Sequence, residues 1–134
     1  MIRYANENDF TKLKEYDRHI SEAELRRSIT SNRVLVMYQK DILVGWLRFN
    51  LFWDNTPFMN MLYFLEEYRG KGYGRQLTVF WEEEMRNNGF KMVLTSTLSN
   101  EQAQFFYRKI GYTDCGSLLL PKKPLEIIMR KYLT

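Results

Sequence analysis

"EEYRGKGYGRQL", residues 66–77, sets three glycines and three cations between the apolar run "FMNMLYFL" (58–65) and a pattern of helical period. From Arg75 onward Leu77, Phe80, Trp81 and Met85 fall on one helical face, and "NNG" (87–89) supplies a stop. The segment is therefore a strand-to-helix junction. Its glycines tolerate positive φ and leave the backbone open, so successive N–H groups and the start of the helix can together receive an anion. Arg69, Lys71 and Arg75 add charge around it. A pyrophosphate suits such a cradle. The spacing is neither the dinucleotide fingerprint nor the Walker loop, and from the glycines alone a solvated basic turn stands as the other reading.

Outward from the junction, "IRY" (2–4) is a first strand, and "NENDFTKLKEYDRHI" (6–20) and "SEAELRRSI" (21–29) are two short helices. Ser21 and Glu24 in the second have capping-box spacing. "RVLVMYQ" (33–39) and "ILVGWLRFNLFW" (42–53) read as an antiparallel hairpin around Lys40 and Asp41. After the helix come a buried strand, "KMVLTST" (91–97), and a helix capped by Asn100 that buries Ala103, Phe106, Tyr107 and Ile110. Gly111 ends that helix, and "CGSLLL" (115–120) and "LEIIMRKYL" (125–133) flank a proline turn as the last two strands. The predicted class is α/β, a mixed and mostly antiparallel sheet whose two middle strands run parallel through the crossover helix.

The chain has 134 residues, of which 45% are hydrophobic, enough for one core and so for one domain over 1–134. A net charge of +4 favours anionic ligands without choosing among them. The positives are dispersed and no nucleic-acid motif appears, so no nucleic-acid partner is expected. A single cysteine, Cys115, excludes an intrachain disulfide, and His19 has no companion ligands, so no metal is expected. Cys115 reads as a buried strand thiol. With no apolar run of spanning length, the expected location is the cytoplasm, without membrane association, as a monomer or homodimer.

"RGKGYG" (69–74) resembles the acetyl-CoA loop of the GNAT (Gcn5-related N-acetyltransferase) superfamily. "NEQAQFFYRKIGY" (100–112) is similar to that family's second motif, in the same order and separation. The resemblance implies the acyl-CoA N-acyltransferase fold with a splayed parallel strand pair, acetyl-CoA as cosubstrate, and direct acetyl transfer to an amine of a small molecule or peptide. It assigns the pyrophosphate to Arg69, Gly70, Lys71, Gly72, Tyr73 and Gly74, with Arg75 beside them. Backbone contacts to the acetyl group and pantetheine fall on Leu62 and Phe64, a pantetheine contact on Asn100, and the role of general acid on Tyr107.

Such a reaction requires a neutral amine, a stabilised oxyanion and a proton for the leaving thiolate. A backbone N–H around Phe64 is the expected oxyanion donor. An amine with a pKa near 10.4 is neutral in about one molecule in 2,500 at pH 7, so deprotonation costs about 4.6 kcal/mol. Many relatives place a glutamate three or four positions before Phe64; here Asn60 and Met61 stand there. Asp54, Glu66 and Glu67 are the neighbouring carboxylates, and Asp54 and Glu66 are the candidates for base or substrate binding. Phe49, Phe52, Trp53 and Phe58 form a candidate aromatic pocket for the acceptor, with Asp54 for its cation or Arg48 for an acidic group. The alternative is a non-catalytic acyl-CoA-binding or regulatory domain, favoured by the missing strand carboxylate.

Overall fold

A computed structural model describes all of residues 1–134. The strands are β1 (Ile2–Tyr4), β2 (Val34–Gln39), β3 (Ile42–Phe52), β4 (Thr56–Phe64), β5 (Met92–Leu98), β6 (Thr113–Leu118) and β7 (Glu126–Tyr132). The helices are α1 (Phe10–Tyr16), α2 (Glu22–Thr30), α3 (Tyr73–Asn87) and α4 (Ala103–Lys109), with single 3₁₀ turns at Glu7–Asp9 and Glu66–Tyr68. The seven strands order as β1-β2-β3-β4-β5-β7-β6. Pairing is antiparallel in β1–β2, β2–β3, β5–β7 and β6–β7, and parallel in β4–β5. This is the mixed sheet that the sequence predicts.

The chain forms two compact units, Met1–Asn50 with Met61–Trp81, and Leu51–Asn60 with Glu82–Thr134. In the first, β2 is buried along "VLVM" because both its faces are covered. Val34, Val36, Leu43 and Trp46 join Leu13 and Leu25 of α1 and α2 in one cluster. On the opposite face Phe49 meets Trp81 of α3, ring centroids 5.7 Å apart. The Ser21 hydroxyl accepts from the Glu24 N–H at 3.2 Å, one half of the capping box its spacing predicts, while the Glu24 carboxylate accepts from Arg27 at 2.6 Å.

In the second unit β5 is held along its length by β7, from Met92↔Tyr132 to Leu98↔Glu126. The parallel ladder to β4 comprises Phe58↔Leu94 and Met59↔Thr95. The helix after β5 starts later than the sequence predicts. Residues 98–101 first close a turn, in which the Glu101 N–H donates to the Leu98 carbonyl and the Glu101 carboxylate accepts from the Leu98 N–H, each at 3.0 Å. Asn100 thus sits in an exposed turn, Gln102 precedes the helix without a side-chain cap, and Gln104 rather than Ala103 joins Tyr107 on the buried face. Helix α3 starts at Tyr73, two residues before the periodic pattern does. Cys115 is exposed, not buried: the β6–β7 register shifts between Asp114 and Gly116, and all of β6 faces solvent. No helix is long and apolar enough to cross a membrane.

Candidate active site

The glycine segment leaves β4 through the 3₁₀ turn Glu66–Tyr68 and enters α3 at Tyr73. Gly70 and Gly72 have φ of 73° and 84°, and a Cβ on either would meet nothing within 4 Å. Their conformation, not crowding, demands glycine, and the open side of the loop fits a bulky anion drawn against the main chain. The Gln76 N–H donates to the Gly72 carbonyl at 3.1 Å, so the helix ladder begins inside the loop. Its first amide groups and its dipole are therefore available to phosphate oxygens. Arg69, Lys71 and Arg75 are all exposed around it.

Arg69 also has a second use that its charge does not reveal. Its Nε donates to the Phe64 carbonyl at 2.8 Å, and its guanidinium lies 4.9 Å from the Tyr63 ring centroid. The arginine thereby ties the loop to the end of β4. Phe64 is held from the other side by an absence of bulk: a Cβ on Gly45 would come within 2.3 Å of its ring. Tyr73 meets the same ring at 6.4 Å. Gly45 in β3, Phe64 in β4 and Tyr73 at the head of α3 form one packed stack beneath the cradle. Leu62 is half-buried on the same strand.

Tyr107 is 6% exposed, with its hydroxyl 3.9 Å from the Met59 sulfur. Burial pushes its pKa up to about 12; the Thr95 hydroxyl acts in the opposite direction and Glu101 adds to the rise. The phenol is thus a proton donor over the whole physiological range. Thr95 itself donates to the Met59 carbonyl at 3.1 Å, beside the parallel ladder. Behind Tyr107 stands Tyr112, ring centroids 5.5 Å apart and edge-on, its hydroxyl donating to Glu82 at 2.8 Å. Glu82 is paired with Lys131 at 2.9 Å. Sequence reading missed this group, because Glu82 is the first of three consecutive glutamates (82–84) and nothing local sets it apart from Glu83 and Glu84, which are not buried.

Asp54 lies in the turn between β3 and β4, exposed, with φ of 64°. Trp53 beside it has φ of 55° and is 75% exposed, and the Asn55 N–H closes the turn onto the Phe52 carbonyl at 3.2 Å. Phe52 contacts both Trp53 and Phe58, at 4.6 and 6.0 Å. Phe49 does not join them, since it is buried against Trp81. The aromatic cluster is therefore a three-ring group around the turn from β3 into the start of β4, whereas the glycine segment follows the end of that strand. Glu66 and Glu67 are exposed in the 3₁₀ turn just after Phe64.

Arg48 is not free for an acidic substrate. Its Nε and Nη2 donate to Asp17 at 2.6 and 3.3 Å, and both residues are buried. Burial disfavours the Asp17 charge, but hydrogen bonds and charge from Arg48, the His19 N–H and the Trp46 indole outweigh it and lower the pKa. The pair fixes the segment that links α1 to α2. The apolar run of β3 marks Arg48 only as an interruption, so its partner was not legible.

A seven-stranded mixed sheet with a parallel β4–β5 pair and a glycine loop opening the crossover helix defines the acyl-CoA N-acyltransferase fold. The family model described as the acetyltransferase (GNAT) family matches residues 3–112, and the chain belongs to that family. It is thereby an acetyltransferase with acetyl-CoA as cosubstrate. Among solved structures it resembles yncA from Salmonella typhimurium, determined with acetyl-CoA, at 18% identity and a TM-score of 0.81, covering 100% of this chain and 94% of that one. The paia N-acetyltransferase of Thermoplasma acidophilum, in complex with coenzyme A, shares 20% identity at a TM-score of 0.76, with 98% of each chain covered. The ribosomal-protein-alanine N-acetyltransferase of Brucella melitensis shares 22% identity at 0.78, with 99% of each chain covered. No curated protein matches the chain.

Proposed function

We propose that the protein transfers the acetyl group of acetyl-CoA directly to an amine of a small molecule or peptide, both substrates being bound together. The observation that carries this reading is the pair of left-handed glycines, Gly70 and Gly72, opening onto the first turn of α3. In it, the amides of residues 69–74 hold the pyrophosphate, with Lys71 and Arg75 supplying charge and Arg69 keeping the loop on β4. The backbone of Leu62 and Phe64 orients the pantetheine and acetyl group, and a main-chain N–H near Phe64 receives the developing oxyanion. Asn100, in its exposed turn, serves the pantetheine arm.

Tyr107 gives its phenolic proton to the departing thiolate, a role suited to a group whose pKa burial raises to about 12. Because "TPFMNMLYF" contains no carboxylate, strand β4 offers no base of its own. Glu66, exposed immediately after the strand, is the base candidate, acting through water. Asp54, in the turn with Trp53, is assigned to attracting the cationic acceptor. Transfer to the amine requires no covalent enzyme intermediate, so Cys115 has no part in it.

Titration calorimetry with acetyl-CoA, followed by thiol-release assays over a panel of amines and peptide N-termini, tests this directly. Saturable binding with amine-dependent thiol release is expected. Absence of binding overturns the reading, and binding without release for any amine favours a regulatory acyl-CoA-binding domain instead.

A further inference from the structure

We propose that buried Tyr112 and Glu82, with half-buried Lys131, form a clamp of positioning residues that holds Tyr107 in its proton-donating place. The proposal rests on the reading of Tyr107 as general acid and concerns groups to which the family motif assigns no task. Tyr107 lies in the middle of α4, a helix of only seven residues with no side-chain N-cap. So short a helix has little stability of its own, and its register and tilt must come from tertiary contacts.

Those contacts converge on its C-terminal end. Gly111, at φ of 104°, turns the chain, and the Tyr112 N–H donates back to the Tyr107 carbonyl at 2.9 Å. Tyr112 thereby sits edge-on against the Tyr107 ring. Its hydroxyl is fixed on Glu82 Oε2 at 2.8 Å, and Lys131 Nζ takes Glu82 Oε1 at 2.9 Å. The same ammonium donates to the Ile110 carbonyl, the C-terminal cap of α4, at 2.9 Å. A cation there satisfies a helix-end carbonyl and complements the helix dipole. One carboxylate on α3 and one ammonium on β7 thus grip both the tyrosine behind Tyr107 and the end of the helix that carries it.

Burial makes the grip directional. Tyr112 and Glu82 are only 3% and 4% exposed, and hydrogen bonds among desolvated, charged partners tolerate little displacement. At its other end the Tyr107 hydroxyl meets the Thr95 hydroxyl and lies 3.9 Å from the Met59 sulfur. A general acid requires a ring held firmly in place, and the clamp supplies that hold from behind. A helix merely packed on a sheet would need no buried carboxylate behind it, since apolar residues of similar volume stabilise as well.

Steady-state kinetics of Tyr112→Phe and Lys131→Met, each alone and combined with Tyr107→Phe, tests the clamp. Tyr112→Phe keeps the ring and removes only its hold on Glu82, and Lys131→Arg serves as the conservative rescue. Misplacement of a reacting group by about 1 Å costs up to about a hundredfold, so kcat is expected to fall about ten- to a hundredfold in Tyr112→Phe and Lys131→Met. KM for acetyl-CoA should be unchanged, Lys131→Arg should recover most of the rate, and neither loss should appear when Tyr107 is already Phe. Wild-type kcat in Tyr112→Phe and Lys131→Met, or losses that multiply with that of Tyr107→Phe, overturn the clamp while leaving the acid role standing. A Tyr107→Phe variant of undiminished kcat removes the acid role and the clamp together.

Discussion

Gly72→Ala separates a cradle from an ordinary turn. Gly72 has φ of 84° and is exposed, and an added Cβ would touch nothing within 4 Å. The substitution therefore carries no steric clash, only the cost of holding an L-residue in left-handed backbone, about 1–2 kcal/mol. In the free protein the loop can relax, because Gly70, Lys71 and Gly72 are all exposed. When phosphate oxygens fix the amides, the full cost falls on the complex. At 1.4 kcal/mol per tenfold, the Kd for acetyl-CoA should rise about five- to thirtyfold, with Tm almost unchanged. Calorimetric titration and thermal unfolding of the same samples measure both. A Tm that falls by several degrees with Kd unaltered would show that Gly72 serves the fold alone and would refute the cradle.

Gly45→Ala should act on the same site from beneath: its Cβ would meet the Phe64 ring at 2.3 Å, so Phe64 must move, costing about 1–3 kcal/mol in stability and weakening acetyl-CoA binding, checked by denaturant unfolding and titration. Tyr107, with its pKa raised to about 12, should stay protonated where an ordinary tyrosine does not; at pH 9.5 a normal phenol is about one quarter ionised and this one well under 1%. The rate should therefore climb with pH as the amine deprotonates and show no fall below about pH 11. Because the folded pKa lies above the unfolded one, the associated stability, about 2–3 kcal/mol, is complete below pH 10 and lost as pH rises to about 12, a window that alkaline unfolding curves reveal. Asp17→Asn leaves Arg48 buried without its counter-charge and should cost about 3–5 kcal/mol. The lowered Asp17 pKa has the opposite sign, with stability present above about pH 4 and lost as pH falls through its depressed value.

The fold was legible where periodicity and punctuation agree. "VLVM" and "VLT" (93–95) read as strand because they are buried on both faces, and Gly89 and Gly111, both at positive φ, end α3 and α4 where the sequence puts stops. Local reading failed at Asn100, a residue of cap type displaced by a turn that Glu101 closes onto Leu98. It failed again at Cys115, where burial depends on what covers an edge strand and not on the strand's composition. At the candidate site, the left-handed glycine loop was legible because glycine spacing is dictated by backbone geometry within six residues. The pairs Asp17–Arg48 and Glu82–Tyr112 join residues about thirty positions apart, and no local pattern encodes them. The acceptor side is least legible of all, since β4 carries Asn60 and Met61 where a carboxylate would have announced the base.

Direct transfer is tested most squarely by mass spectrometry of a mixture of small amines and peptides incubated with the protein and acetyl-CoA. The expected result is an acetylated amine that accumulates only with the protein present and falls sharply when Tyr107 is replaced by Phe. No acetylated product from any amine, under conditions where calorimetry shows acetyl-CoA bound, would contradict it.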